Sequence, residues 1–277
     1  MTFSYTAVLH IPNSREHEWR TRCSDMREGQ RPIDDLREHV LMQTDTVADL
    51  EGVDRTGVLV LVPSPSDVVA TAISRFGMSP LEAVRYASVK FAHAAECVAS
   101  GARVASAEFG DLKIEPTIDV APDKAVCSSV PPAFLTSLAY FTPFPPRLGS
   151  GATIHSSLFL TRKEDQTNVP ATFDIDMTGR RRILIFGPYL ELPPGVWRAV
   201  IRFQLKKTDA VVSLRFEWAS GEEGVRLERD LHDDGVYDVS LERAWASPGP
   251  CELRIWLDRS VFDASLVIEA VQLKMIG

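Results

Sequence analysis

Two groups of residues in this sequence have the types and spacing for chemistry. The first is Asp174-Ile175-Asp176, two carboxylates two positions apart. On a strand both point the same way and could offer hard oxygen ligands to a divalent cation, a metal-nucleotide site or a structural calcium. The second centres on Trp256. Alternation sets Leu253, Ile255 and Leu257 on one side of a strand and Glu252, Arg254, Trp256 and Asp258 on the other. A tryptophan on a polar face is the informative exception. The apolar face of a sugar ring stacks on an indole while charged neighbours hydrogen-bond its hydroxyls. If neighbouring strands stack, the same polar face also carries Arg198, Arg202, Gln204, Arg215 and Glu217. The candidate carbohydrate-binding residues are therefore Trp256, Arg254, Arg202, Arg215, Glu217 and Asp258, with Asp174 and Asp176 as candidate metal ligands; Tyr189 and Trp245 are weaker candidates. Each has a bland reading beside it: a solvated strand for the acidic pair, and an ordinary charge-alternating sheet face or a contact between chains for the set around Trp256.

Other chemistry is not indicated. The six histidines lack an HExxH spacing, and His93 with Cys97 four residues on lacks two further ligands. Cys23, Cys97, Cys127 and Cys251 form no CxxC pair and read as free buried thiols. No P-loop, GxGxxG or GxSxG occurs. Ser74 to Val84 has the outline of a helix-turn-helix, but Ile73 stands where a small residue is needed. No catalytic residue is assigned, and no cofactor is expected beyond the calcium option.

The elements that must position these residues are strands. Arg181 to Lys207 reads as two strands joined at Pro193-Pro194-Gly195, where two fixed φ angles and a glycine favour a tight corner. After the corner Trp197, Ala199, Ile201, Phe203 and Leu205 share one face and Arg198, Arg202 and Gln204 the other, the period of a half-buried strand. Trp218 shares parity with Val212, Leu214 and Phe216, so Trp197 and Trp218 are assigned to the core. Eight strands are predicted, at 173–177, 182–192, 196–205, 211–218, 225–231, 237–244, 251–257 and 266–275. Short strands at this spacing, separated by turn signals, describe a β-sandwich.

The run FGPYLELPPGVWRAVIRF resembles the GPY, leucine, proline, glycine, aromatic, arginine signature of carbohydrate-binding-module-like jelly-roll domains. Such domains are appended to glycosyltransferases, methyltransferases and other surface-polysaccharide proteins of Gram-negative bacteria. Gly187, Pro188, Tyr189, Leu192, Pro193, Gly195, Trp197, Arg198 and Phe203 carry the resemblance, with Trp197 in place of the commoner tyrosine. It covers the chain from about residue 170 onward. It implies a jelly-roll fold and carbohydrate as the partner of this half.

The N-terminal part is of another character. Ala7 and Leu9 continue an alternation begun at Phe3 and Tyr5. Charged, helix-compatible stretches follow at 14–28 and 33–50, and then the apolar run Gly57 to Val62. Helices are predicted from a cap at Ser66 to Phe76, and from a capping box at Ser79, Pro80 and Glu82 to about Ser100. A hairpin is expected between 103–109 and 112–120. Residues 1–120 are read as an α+β domain that attaches the protein to a protein partner, and 171–277 as an all-β jelly-roll β-sandwich. Between them, 121–170 is a proline-rich linker whose Phe134, Leu138, Tyr140 and Phe141 require it to pack on a surface.

Composition sets the outer limits. With 45% hydrophobic and 25% charged residues the chain can build real cores, and its net charge is −8. Residues 1–120 carry 12 Lys/Arg against 18 Asp/Glu, net −6, so neither half is basic and nucleic acid is not an expected partner. No apolar run reaches membrane-span length, and the N-terminus lacks a signal-peptide pattern. The expectation is cytoplasmic synthesis, with the final location left open between the cytoplasm, the cell surface and a phage-like particle. Oligomerisation would compensate for weak single sites. The leading reading is a non-catalytic carbohydrate-binding protein; the alternatives are a glycosyltransferase-related enzyme or accessory subunit, and a structural assembly protein.

Overall fold

The computed structural model describes residues 7–14, 42–106, 130–162, 168–171, 174–207, 211–220 and 223–277. The chain divides into two compact units, Met1–Pro131 and Pro132–Gly277.

In the first unit β1 (Ala7–His10), β2 (Met42–Thr44), β3 (Val58–Val62) and β4 (Arg103–Ser106) form one sheet in the order β2-β1-β3-β4, with every pairing parallel. Parallel neighbours need a crossover, and α1 (Pro65–Phe76) and α2 (Pro80–Ala99) supply it between β3 and β4. The unit mixes helices and strands, and its described part does so with a wholly parallel sheet and a helical crossover, which supports the expected α+β domain only loosely. The apolar run of β3 is buried along its whole length, as a strand covered on both faces should be.

Helix starts follow local chemistry. Ser79 Oγ accepts from Glu82 N and Glu82 reaches back to Ser79 N at 2.9 Å, which is the predicted capping box. The α1 cap is Ser64, not Ser66, because Pro65 takes the first helical position, where its missing N–H costs nothing. Gly77 ends α1 at φ 67° and returns its N–H to Ala72 and Ile73. Of the helix expected over 33–50 only residues 42–50 are described, and they form a strand and then a single 3-10 turn, Val47–Leu50. Met42–Thr44 is an edge strand, and Thr44 Oγ1 takes the Thr46 N–H at 3.0 Å, a local bond that competes with helix. The strand start at Phe3 and Tyr5, the helix over 14–28, the partner half of the 103–120 hairpin, Cys23 and Cys127 lie outside the described residues; Arg103–Ser106 itself pairs in parallel with β3.

The second unit is a β-sandwich of antiparallel strands. One sheet runs β13 (Gly235–Trp245), β10 (Gly195–Lys207), β15 (Ala264–Met275), β5 (Gly151–Ile154), with β8 (Asp174–Asp176) also on β15. The other runs β12 (Glu223–Leu231), β11 (Val212–Ser220), β14 (Gly249–Leu257), β9 (Arg182–Leu192), β6 (Leu160–Arg162), β7 (Asn168–Pro170). The inner faces meet through rings: Phe203 stacks on Phe216 at 5.6 Å, and Trp218 meets Trp245 edge-on at 6.4 Å. Trp197 and Trp218 are fully buried, as alternation predicts, and Trp245 is buried nearly as deeply, at 6% exposure.

The proline-glycine corner passes the chain from one sheet to the other, since β9 and β10 lie in different sheets. Trp197 Nε1 donates to Pro193 O at 3.1 Å and ties the corner to the core. Gly195 sits at φ 144°, and a Cβ there would meet Met275 Cε at 2.5 Å.

The proline-rich segment is part of this unit from Pro132 onward. Phe134, Leu138, Tyr140 and Phe141 are buried, Tyr140 lies 5.4 Å from Trp197, and its hydroxyl donates to Glu191 O at 3.2 Å. β5, β6 and β7 then enter the two sheets, so the sandwich begins before residue 171. Apolar burial outweighed the proline content that reads as linker.

Candidate functional site

The two outer faces of the sandwich differ. On the five-stranded sheet Arg198 pairs with Glu242, and Arg202 with Asp238 and Glu269; these five side chains are 40% to 55% exposed, an ordinary solvated face. On the six-stranded sheet Arg215, Glu217, Glu252, Arg254 and Asp258 are only 8% to 28% exposed. Half-buried Ile183, Phe186, Tyr189 and Trp256 lie among them.

Register builds this second face. Arg215 lies opposite Trp256, and Glu217 opposite Arg254, across β11 and β14. Ile183 lies opposite Trp256, and Phe186 opposite Arg254, across β14 and β9. At the far end a bulge sets Pro188 against Glu252 and Leu190 against Cys251, leaving Tyr189 as the extra residue. Tyr189 takes φ 63°, a conformation that costs a non-glycine residue about 1–3 kcal/mol. Its hydroxyl is thereby aimed at Glu252 Oε1, to which it donates at 2.8 Å. Gly187 at φ 125° lets the strand pass close to its neighbour, since a Cβ there would come within 3.1 Å of Leu158 O. The GPY run is thus the device that turns a tyrosine onto the outer face.

From Tyr189 a charge network crosses the sheet. Arg254 Nη2 donates to Glu252 Oε2 at 2.5 Å, and Arg254 Nη1 lies 3.8 Å from Glu217 Oε2. The hydrogen bond to Glu252, ahead of the charges around it, raises the Arg254 pKa further above its ordinary value. Trp256 Nε1 donates to Glu217 Oε2 at 3.0 Å. The Arg215 guanidinium covers one face of the Trp256 ring at 4.8 Å and reaches Glu217 at 3.0 Å and Asp258 at 3.4 Å. Arg181 joins Asp258 at 3.4 Å. Five of the six candidate residues, Trp256, Arg254, Arg215, Glu217 and Asp258, therefore form one constellation. Arg202 does not belong to it: β10 lies in the other sheet, whose outer face is on the opposite side of the sandwich, and Arg198 and Gln204 go with it. Sequence reasoning set Glu252 on this face without making it a candidate, passed over Phe186 and ranked Tyr189 low. Strand parity points to Glu252; the bulge that re-aims Tyr189 has no signal beyond the Gly-Pro pair.

Rigidity and hydrophobic surroundings are what this arrangement offers chemically. Ion pairs held at this depth incur desolvation and add little to stability, but their atoms are fixed before a ligand arrives. Carboxylate and guanidinium groups set around half-buried rings can take hydroxyl hydrogen bonds on a stacking surface.

Asp174 and Asp176 are both exposed on β8. Asp176 Oδ1 accepts from Thr178 N at 2.8 Å, and hydrogen bonds from Thr178 hold its carboxyl below the usual range. Among the described residues no group of three or more His, Cys, Asp or Glu comes together as a metal site. His93 pairs with Glu96 at 3.8 Å, while Cys97 is buried. Cys251 is also buried; Trp218 Nε1 lies 3.1 Å from its sulfur, and burial pushes the thiol up to about 12, so it stays protonated and inert. No described helix is long and apolar enough to cross a membrane.

No family model matches the chain, and no curated protein matches it. Among solved structures it is similar to a module described as TmCBM61 in complex with beta-1,4-galactotriose, at 10% identity and a TM-score of 0.30, covering 50% of this chain and 92% of that one. It is similar to the CBM22-1 xylan-binding domain from Paenibacillus barcinonensis at 11% identity and a TM-score of 0.27, covering 46% of this chain and 83% of that one. It is similar to the C-terminal CBM6 of a laminarinase from Zobellia galactanivorans at 8% identity and a TM-score of 0.28, covering 45% of this chain and 98% of that one. Likenesses of this size say nothing of what this chain binds.

Proposed function

We propose that the protein is a non-catalytic carbohydrate-binding protein that holds a glycan on the outer face of the six-stranded sheet. The single observation that supports this reading is the contrast between the two outer faces. One has exposed, paired charges of the kind any soluble sheet carries; the other keeps such a pair only at its edge, Arg226 with Glu228, and inward of it has a half-buried network interleaved with Phe186, Tyr189 and Trp256. Trp256 with Arg254, Arg215, Glu217 and Asp258 contacts the sugar, joined by Tyr189 and Glu252, and Arg202 is left out. The sandwich is a jelly roll of the carbohydrate-binding kind, its ligand is bacterial surface polysaccharide, and the first unit attaches the protein to a partner or assembly. Each site binds weakly, and oligomerisation raises the avidity.

The test is a glycan array probed with the full-length protein beside Trp256→Ala, Arg254→Gln and Arg202→Gln, each checked for an unchanged circular dichroism spectrum. The reading expects retention to be lost in the first, weakened in the second and unaltered in the third. Retention indifferent to Trp256→Ala and Arg254→Gln would sink it. Absence of any retention, with a Trp256→Ala variant that dissociates in light scattering, would replace it with the assembly reading.

A further inference from the structure

Beyond Trp256 the outer face ends in a pinned tip. Gly179 N donates to Val261 O at 2.8 Å and Val261 N to Gly179 O at 3.0 Å; Asp258 N donates to Ser213 O and Met177 N to Ala264 O, each at 2.9 Å. Val261 is buried, and the next residue, Phe262, is 91% exposed. A loop tied at these points holds Phe262 out in water as a feature of the fold. Arg180, Arg181 and Arg259 are exposed at the same tip. Arg181 connects to the face through Asp258, which also holds Arg215 beside Trp256. Neither Arg180 nor Arg259 has an ion-pair partner among the described residues. Arg182 is different: its guanidinium donates to the carbonyls of Asp176, Met177, Thr178 and Arg180 and belongs to the loop.

The centre of the face offers no such free cation. Arg254 lies between Glu252 and Glu217, and Arg215 between Glu217 and Asp258. The nearby acids are already engaged: Asp258 holds two arginines, Asp176 accepts from Thr178, and Asp263 has a partner of its own. In a chain of net charge −8 the tip sets four arginines, Arg180, Arg181, Arg182 and Arg259, against four acids, Asp174, Asp176, Asp258 and Asp263, so it lacks the acidic excess of the whole. All three exposed cations are arginines, whose planar fork fits a carboxylate with two parallel hydrogen bonds and stacks on rings. We propose that Arg180, Arg181 and Arg259 read the carboxylates of an acidic, uronic-acid-containing glycan whose neighbouring sugars lie along Trp256, with Phe262 as a further stacking ring. The assignment rests on the carbohydrate reading of the face and narrows it to one class of polysaccharide.

The test is affinity electrophoresis of the full-length protein in gels containing uronic-acid-containing bacterial polysaccharides, each beside its carboxyl-reduced neutral form. The acidic form is expected to retain the protein about tenfold more strongly, with the margin falling as salt rises. The triple variant Arg180→Gln/Arg181→Gln/Arg259→Gln should bring retention down to that of the neutral form, and Phe262→Ala should weaken both. Equal retention of the two forms, a preference that survives the triple variant, or no retention by any acidic form would overturn the proposal. Arginine-dependent retention that persists in Trp256→Ala would keep the tip and discard the face. A Phe262-dependent affinity for phosphatidylglycerol vesicles in place of any glycan would assign the tip to a lipid surface and overturn it equally.

Discussion

Glu217 is the residue on which the network turns. It accepts from Trp256 Nε1, faces Arg215 at 3.0 Å and lies 3.8 Å from Arg254. Its replacement by alanine leaves a guanidinium that is 8% exposed short of a partner, and is expected to cost about 1–3 kcal/mol in urea denaturation. Glu242→Ala on the other sheet breaks a pair that is about half exposed, so a change within about 1 kcal/mol is expected there. Equal costs would mean that the two faces do not differ as described. Cys251 gives a prediction in pH. Its folded pKa is raised by burial from 9.0 to about 12. The folded protein therefore keeps a proton that the unfolded chain releases above pH 9. This contribution is complete below pH 9 and is lost between there and about 12. The slope of stability over that window should be shallower in Cys251→Ala, once its lower overall stability is subtracted; parallel curves would contradict the burial.

Among the elements, α2 depends on its capping box. Ser79→Ala should lower stability by about 1 kcal/mol at neutral pH, read by chemical denaturation. The Glu82 carboxyl is held below its ordinary value by Ser79. The stabilisation is therefore present above pH 4.5 and fades as the carboxyl protonates on further acidification, and Glu82→Gln should flatten that acid limb. This box was legible because Ser-Pro-x-Glu is a local code. The strand boundaries and the burial of Trp197 and Trp218 were legible for a similar reason, since alternation is a property of a single strand. Arg202 was misassigned because parity tells which side of a strand a residue takes and not which sheet the strand joins. That choice is made by long-range pairing, and the corner at Pro193-Pro194-Gly195 carries the chain across the core. Tyr189 was ranked low because a bulge breaks the period at the one place where the tyrosine gains its role. Gly187→Ala should remove that device: the new Cβ would press on Leu158 O and Phe159, at an expected cost of about 1–3 kcal/mol.

The whole molecule joins a unit of helices and a parallel sheet to a sandwich that carries one differentiated face. Composition made nucleic acid an unexpected partner and said little else, and the proline-rich stretch concealed three strands. What singles out a candidate site is the difference in burial between Arg215, Glu217, Glu252, Arg254 and Asp258 on one sheet and the paired charges of the other, which no single strand reveals. That difference is tested most directly by hydroxyl-radical footprinting of the full-length protein with and without a glycan retained on the array. The account predicts that Trp256, Tyr189 and Phe186 become protected while Tyr237 and Val236, on the other sheet, keep their reactivity. Protection confined to β10 and β13, or unchanged oxidation of Trp256 at saturating glycan, would contradict it.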